Sequence, residues 1–106
     1  MLKQGVLIVR IEGELDMHSA YEFRQTVDDA LDKNGAKNIL LNLDGVNFID
    51  SSGLGVILGR YKKISVLGGT MLAAHIQPQV AKIFELSGLL KIMKVFDNET
   101  EALECF

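Results

Sequence analysis

Short apolar runs with two-residue alternation interleave along the whole chain with stretches in which apolar residues recur every three or four positions. Alternation of that kind predicts strands and helices in turn, the signature of an α/β sheet. Val6 to Glu12 reads as the first clear strand, with Leu7, Val9 and Ile11 on one face and Val6, Ile8 and Arg10 on the other. Gly13-Glu14-Leu15-Asp16 breaks it. A helix follows from about Ser19, where Ser19 and Glu22 have capping-box spacing and Phe23, Val27, Ala30 and Leu31 form the apolar stripe up to Asn34-Gly35. Asn38 to Leu43 is apolar on both faces, as expected of a buried parallel strand. A loop from Asp44 to Asp50 leads to a second helix, from Ser51 or Ser52 to about Ser65, with Leu54, Ile57, Leu58, Tyr61 and Ile64 facing the sheet.

The second half repeats the theme. Gly68-Gly69 turns into a strand over Thr70 to His75, and Pro78 suits the first turn of a third helix with Val80, Ile83 and Phe84 inward and Gly88 at its end. Ile92 to Phe96 reads as a further strand, and Asp97 or Asn98 can cap a last helix carrying Ala102, Leu103 and Phe106. The order is β-α-β-α-β-α-β-α, which right-handed crossovers convert into a mostly parallel sheet. Whether the helices cover one face or both is left open by the pattern.

Composition narrows the function. One domain, 1–106, accounts for the 106 residues. The net charge of −3 makes a nucleic-acid partner a poor expectation. Two histidines and one cysteine cannot supply a four-ligand Cys/His zinc site, so no metal and no cofactor are expected. The apolar run before Arg10 is too short for a signal-peptide core or a membrane span, and a cytoplasmic protein is the expectation. Neither serine at 51 or 52 fits Gly-x-Ser-x-Gly, His18 and His75 lie in different loops, and no Walker A loop occurs. A non-enzyme is therefore expected. A response-regulator receiver competes on size and on Asp44 after an apolar strand, but Gln77 stands before Pro78 where a receiver has lysine.

The informative stretch is Asp50-Ser51-Ser52-Gly53-Leu54-Gly55-Val56-Ile57-Leu58-Gly59-Arg60. It opens a helix at the sheet end where α/β proteins meet ligands and partners. A serine in a first helical turn is a good cap and a good place for a phosphate, because free N–H groups and the helix dipole meet the anion there. At about 100° per residue, Ser52, Gly55, Val56, Gly59 and Lys63 fall opposite the apolar stripe. Interior glycines each cost a helix about 0.8–1 kcal/mol. Gly55 and Gly59 thus serve either close packing inside the chain or close approach by another protein, and their outward placement favours the second. The wheel turns Ser52 outward more clearly, while Ser51 sits at the helix end. Asp50 and Asp16 read both as loop caps and as charges beside a phosphate.

These residues carry a resemblance. The Asp50–Lys62 block, with Gly13-Glu14-Leu15-Asp16 and Leu86-Ser87-Gly88-Leu89 in the same order, resembles the STAS-domain anti-sigma factor antagonists of Gram-positive bacteria, and within them the sporulation branch that antagonises the anti-sigma-F factor. The resemblance implies a STAS fold, with a four- to five-stranded sheet, about four helices and a shortened first strand. It implies a partner-switching cycle: the unphosphorylated form binds an anti-sigma factor that is also a serine kinase, the kinase phosphorylates Ser51, and a serine phosphatase resets it. The partner surface so implied comprises Asp16, Asp50, Ser52, Gly53, Leu54, Gly55, Val56 and Gly59. A STAS module of a stress-response pathway and a nucleotide-binding STAS domain are the alternatives. Only five residues precede Val6, where the family has a full strand, so an exposed sheet edge and a weak tendency to homodimerise are expected.

Overall fold

The computed structural model describes residues 2–106. Its elements are β1 (Leu2–Lys3), β2 (Val6–Leu15), α1 (Ala20–Asn34), β3 (Asn38–Ile49), α2 (Ser51–Val66), β4 (Met71–Ala74), α3 (Pro78–Ser87), a 3-10 turn (Leu89–Lys91), β5 (Val95–Phe96) and α4 (Glu99–Leu103). The five strands lie in the order β1-β2-β3-β4-β5. β1 is antiparallel to β2 and every other neighbour is parallel. The shortened first strand is therefore present as a two-residue hairpin arm. Gln4 and Gly5, both at positive φ, form the two-residue turn that joins it to β2.

The sheet has apolar side chains on both faces, and the helices divide unequally between them. Leu7, Ile39 and Leu41 face α1, α2 and α3, where Phe23, Val27, Ile57, Ile64, Val80 and Phe84 complete the larger core. Val6, Ile8, Leu40, Leu72 and Ala74 face the other way, and Ala102, Leu103 and Phe106 from the C-terminal segment cover them. Each fully buried Leu, Ile or Phe contributes about 1.5–3 kcal/mol of burial.

Four expectations about strand bounds and helix caps change. The breaks expected at Gly13 and Asp44 are bulges, not strand ends. β2 and β3 slip register between Arg10 and Glu12 and again between Gly13 and Glu14, then pair on as far as Leu15 opposite Ile49. Gly13 takes the left-handed conformation that such an irregularity needs, and a side chain at Gly45 would lie 2.9 Å from the Ile11 carbonyl oxygen. The capping box at Ser19 does not form: Ser19 Oγ donates to the Glu14 carbonyl at 2.7 Å and accepts from Asp16 N–H at 3.0 Å, so its bonds belong to the loop before the helix. The strand expected over Thr70 to His75 shortens to Met71–Ala74, because His75 is at positive φ. The strand expected over Ile92 to Phe96 shrinks to Val95–Phe96, because Gly88 leads into a 3-10 turn in which Ile92 and Met93 N–H both return to the Leu89 carbonyl.

The second helix is rotated from its expected setting. Its buried residues are Gly53, Ile57, Arg60 and Ile64, while Leu54, Leu58 and Tyr61 are half-buried. The Arg60 guanidinium explains the turn, since it reaches Asp28 of α1 at 3.1 Å, with Lys63 3.4 Å from the same carboxylate. A buried arginine is tolerated when a partner charge accompanies it.

Candidate functional site

The two bulges decide where the site forms. Because Leu15 pairs with Ile49, the next residues, Asp16 and Asp50, leave the sheet side by side. Asp50 N–H donates to the Leu15 carbonyl at 3.2 Å, carrying the ladder one step past the strands. The Asp50 carboxylate then ties both loops together. Its Oδ1 accepts from Ser52 N–H at 2.8 Å and Gly53 N–H at 3.1 Å, capping α2, and its Oδ2 accepts from Met17 N–H at 3.2 Å in the other loop. Asp16 caps its own turn, accepting from His18 N–H at 2.9 Å and Ser19 N–H at 3.1 Å. The Ser19 N–H, and after it the His18 N–H, hold the Asp16 carboxyl below the usual carboxylate range. Both acids are thus loop caps, and they stand at one end of the molecule.

Ser51 is the first residue of α2 and is exposed, whereas Ser52 is half-buried. This reverses the order that the helical wheel suggests, for the same reason that the helix is rotated. Among the described residues the Ser51 hydroxyl makes no hydrogen bond, so it is available to a reagent from outside.

The glycines of α2 separate into two kinds. A side chain at Gly53 would drive into the Leu15 carbonyl oxygen and lie 3.0 Å from Ile49 Cγ2. Gly53 is buried, so its expected place on a partner surface is corrected: it lets the start of α2 press against the end of β2. A side chain at Gly55 or Gly59 would meet nothing within 4 Å. Internal packing therefore does not account for these two. Gly55 is exposed, and Leu54, Val56 and Gly59 are half-buried beside it.

Sequence reasoning missed Met17 and Tyr21, which flank the site on the α1 side and are 70% and 69% exposed. An apolar residue beside the Asp16 turn was the available signal. It also missed a second polar cluster. Glu99, at the start of α4, accepts from Arg10 Nε at 2.9 Å, Arg10 Nη2 at 2.8 Å and Asn42 Nδ2 at 2.6 Å. The Arg10 hydrogen bonds are the main reason that the Glu99 carboxyl is pulled down to about 2. Among the described residues no group of three His, Cys, Asp or Glu is placed to hold a metal ion, and no helix is long and apolar enough to cross a membrane.

A family profile described as the STAS domain matches residues 2–102. The chain belongs to the STAS domain family. Among its relatives, an anti-sigma F factor antagonist from Paenibacillus polymyxa is 48% identical over 100 residues, covering 94% of this chain and 86% of that protein. The crystal structure of the Thermotoga maritima protein TM1081 superposes with a TM-score of 0.92 at 33% identity, covering 98% of this chain and 89% of that one. The anti-sigma factor antagonist SpoIIAA has been solved in two forms. The unphosphorylated form matches with a TM-score of 0.77 at 27% identity, covering 98% of this chain and 91% of that one. The phosphorylated Bacillus form matches with a TM-score of 0.76 at 30% identity, covering 98% and 93%. The expected STAS architecture is thus shown, and the four- to five-stranded sheet has five strands.

Proposed function

We propose that this STAS domain is an anti-sigma factor antagonist of the sporulation type, and that phosphorylation of Ser51 switches its binding off. The observation that carries the reading is the exposed Ser51 hydroxyl at the start of α2, directly after Asp50, whose carboxylate ties the helix start to the loop of Asp16 and Met17. Unphosphorylated, this end offers a small hydroxyl and the open Gly55 face to an anti-sigma factor that is also a serine kinase. A phosphate adds about −1.5 to −2 charges. Two first-turn N–H groups, of Ser52 and Gly53, are already engaged by Asp50, so much of the stabilisation that a helix start offers an anion is taken. The added charge then repels Asp50 and must be desolvated wherever a partner docks. The same fold recognisable in both SpoIIAA forms supports a local switch without refolding.

The partner surface in this reading consists of Asp16, Asp50, Ser52, Leu54, Gly55, Val56 and Gly59. A serine phosphatase resets the domain, and the cycle runs in the cytoplasm with no catalysis by this chain. Self-association is weak. β1 pairs with β2 at Val6 and Leu7, and from Val9 onward no described strand other than β3 lies beside β2. The charged side chains of Arg10, Glu12 and Glu14 along β2 oppose strand addition there.

The test is incubation with the anti-sigma kinase and ATP, followed by intact mass and site mapping. One phosphate on Ser51 is expected, lost in Ser51→Ala and retained in Ser52→Ala. Full labelling of Ser51→Ala would overturn the assignment.

A further inference from the structure

A cavity of about 260 Å³ opens on the edge of the sheet, beside the last turns of α2. Its origin is the late start of β5. The 3-10 turn after Gly88 delays that strand, so β5 pairs only with Ala73 and Ala74, and the Met71–Leu72 half of β4 has no described strand beside it on that side. Met71 belongs to the larger core and Leu72 to the smaller one, and both are buried. They give the cavity an apolar floor. Tyr61 and Ser65 line it from α2, and Cys105 lines it from the C-terminal segment. Ser65 follows Ser51 by fourteen residues, about 21 Å of helix rise, so the cavity lies apart from the proposed switch.

The lining chemistry selects the ligand. Tyr61, Ser65, Thr70 and Lys94 all line the cavity, and among the described residues their hydroxyl and ammonium groups make no hydrogen bond or ion pair. Among the described residues no carboxylate lines it either. The other cavities that hold a cation differ in this respect: Arg10 shares its cavity with Glu12, Glu14 and Glu22, and Lys3 shares its cavity with Glu104. Lys94 is thus a cation that meets a concave surface without an acid. A few donors converging over an apolar floor are the ordinary form of a small-molecule site. One ammonium supplies one positive charge, which matches a carboxylate better than a phosphate dianion, and hydrogen bonds to a charged group are the stronger kind. We propose that this cavity binds a small apolar carboxylic acid as its carboxylate. Lys94 and the hydroxyls of Ser65 and Thr70 hold the charged head, and Met71, Leu72 and the Tyr61 ring receive the apolar body.

The experiment titrates the isotope-labelled domain with sodium octanoate and follows the backbone amides by NMR, with octan-1-ol and inorganic phosphate as parallel probes. Saturable shifts are expected at Ser65, Gly69, Thr70, Lys94 and Cys105, with octanoate binding at least fivefold more tightly than octan-1-ol. Lys94→Met keeps the aliphatic stem and removes the charge. It is expected to weaken octanoate about tenfold, as for the loss of a charged hydrogen-bond partner, and to leave octan-1-ol unchanged. Lys62→Met, at an exposed position of α2 outside the cavity, should change neither. Ser65→Leu fills the cavity from an exposed helical position and is expected to lose both probes, so a folding defect in Lys94→Met leaves the test intact. Equal octanoate affinity in the wild type and Lys94→Met would overturn the proposal, as would unchanged affinity in Ser65→Leu. Shifts that never saturate at millimolar octanoate, or saturable binding of phosphate in place of octanoate, would overturn it as well.

Discussion

Two carboxylates near the C-terminal ends of the strands make an instructive pair. Asp50 accepts three hydrogen bonds, all from backbone N–H groups of Met17, Ser52 and Gly53. Glu99 also accepts three, all from side chains of Arg10 and Asn42. Both are fully engaged, so neither is itself a free reactive group. The difference lies in what adjoins them. Glu99 fixes the start of α4 against the smaller face of the sheet, and Ala102 and Leu103 then cover the apolar residues of that face. Asp50 fixes the start of a helix whose first residue is an exposed serine and whose fifth, Gly55, is an open glycine. One carboxylate closes a surface, and the other holds a surface open in a defined shape.

That contrast can be broken from either side. The largest effect is expected at Gly53. Gly53→Ala places a methyl group against the Leu15 carbonyl and pries α2 from β2. Overpacking of this kind costs about 1–3 kcal/mol, read as a lower urea midpoint, and anti-sigma factor binding should fall with it. Next comes the acid limb of stability. The Glu99 carboxyl sits at about 2 against an ordinary 4.5, so its contribution is complete above about 4.5 and is lost as pH falls from there towards 2. Glu99→Gln should flatten that part of the pH–stability curve, measured by thermal melts at a series of pH values, and leave anti-sigma factor affinity unchanged. The smallest effect belongs to Gly59→Ala. Its methyl group meets open space, so helix propensity should raise stability by up to about 1 kcal/mol, with at most a slight loss of binding in the same titration.

The legible part of the fold and the hidden part have different physical origins. Local pattern placed α1, α2 and α3, because their apolar spacing and their end signals at Gly35, Pro78 and Gly88 act within a few residues. It offered a serine as the cap of α2 and left Asp50 open between a loop cap and a charge beside a phosphate, whereas Asp50 itself is the N-cap. The bond from Asp50 to Met17 was hidden, because it depends on two bulges that set the pairing of Leu15 with Ile49. Gly53 and Gly55 look alike in sequence, and only the neighbouring strand distinguishes a glycine that must be small from one that is left open. The rotation of α2 was hidden for a similar reason: the partner of Arg60 is Asp28, on a different helix. Ile92 opens a stretch that reads as a strand, but it leaves a 3-10 turn over Leu89–Lys91 and only Val95–Phe96 joins the sheet.

The central claim is that charge at Ser51 alone turns the partner surface off. The direct measurement is a calorimetric titration of the anti-sigma factor, in ADP, with the same preparation of this domain before and after stoichiometric phosphorylation, alongside heteronuclear NMR spectra of both forms. The account predicts at least a tenfold loss of affinity, with shifts confined to the two loops and the first turns of α2. Equal affinity, or a loss of affinity accompanied by changes throughout the sheet, would contradict it.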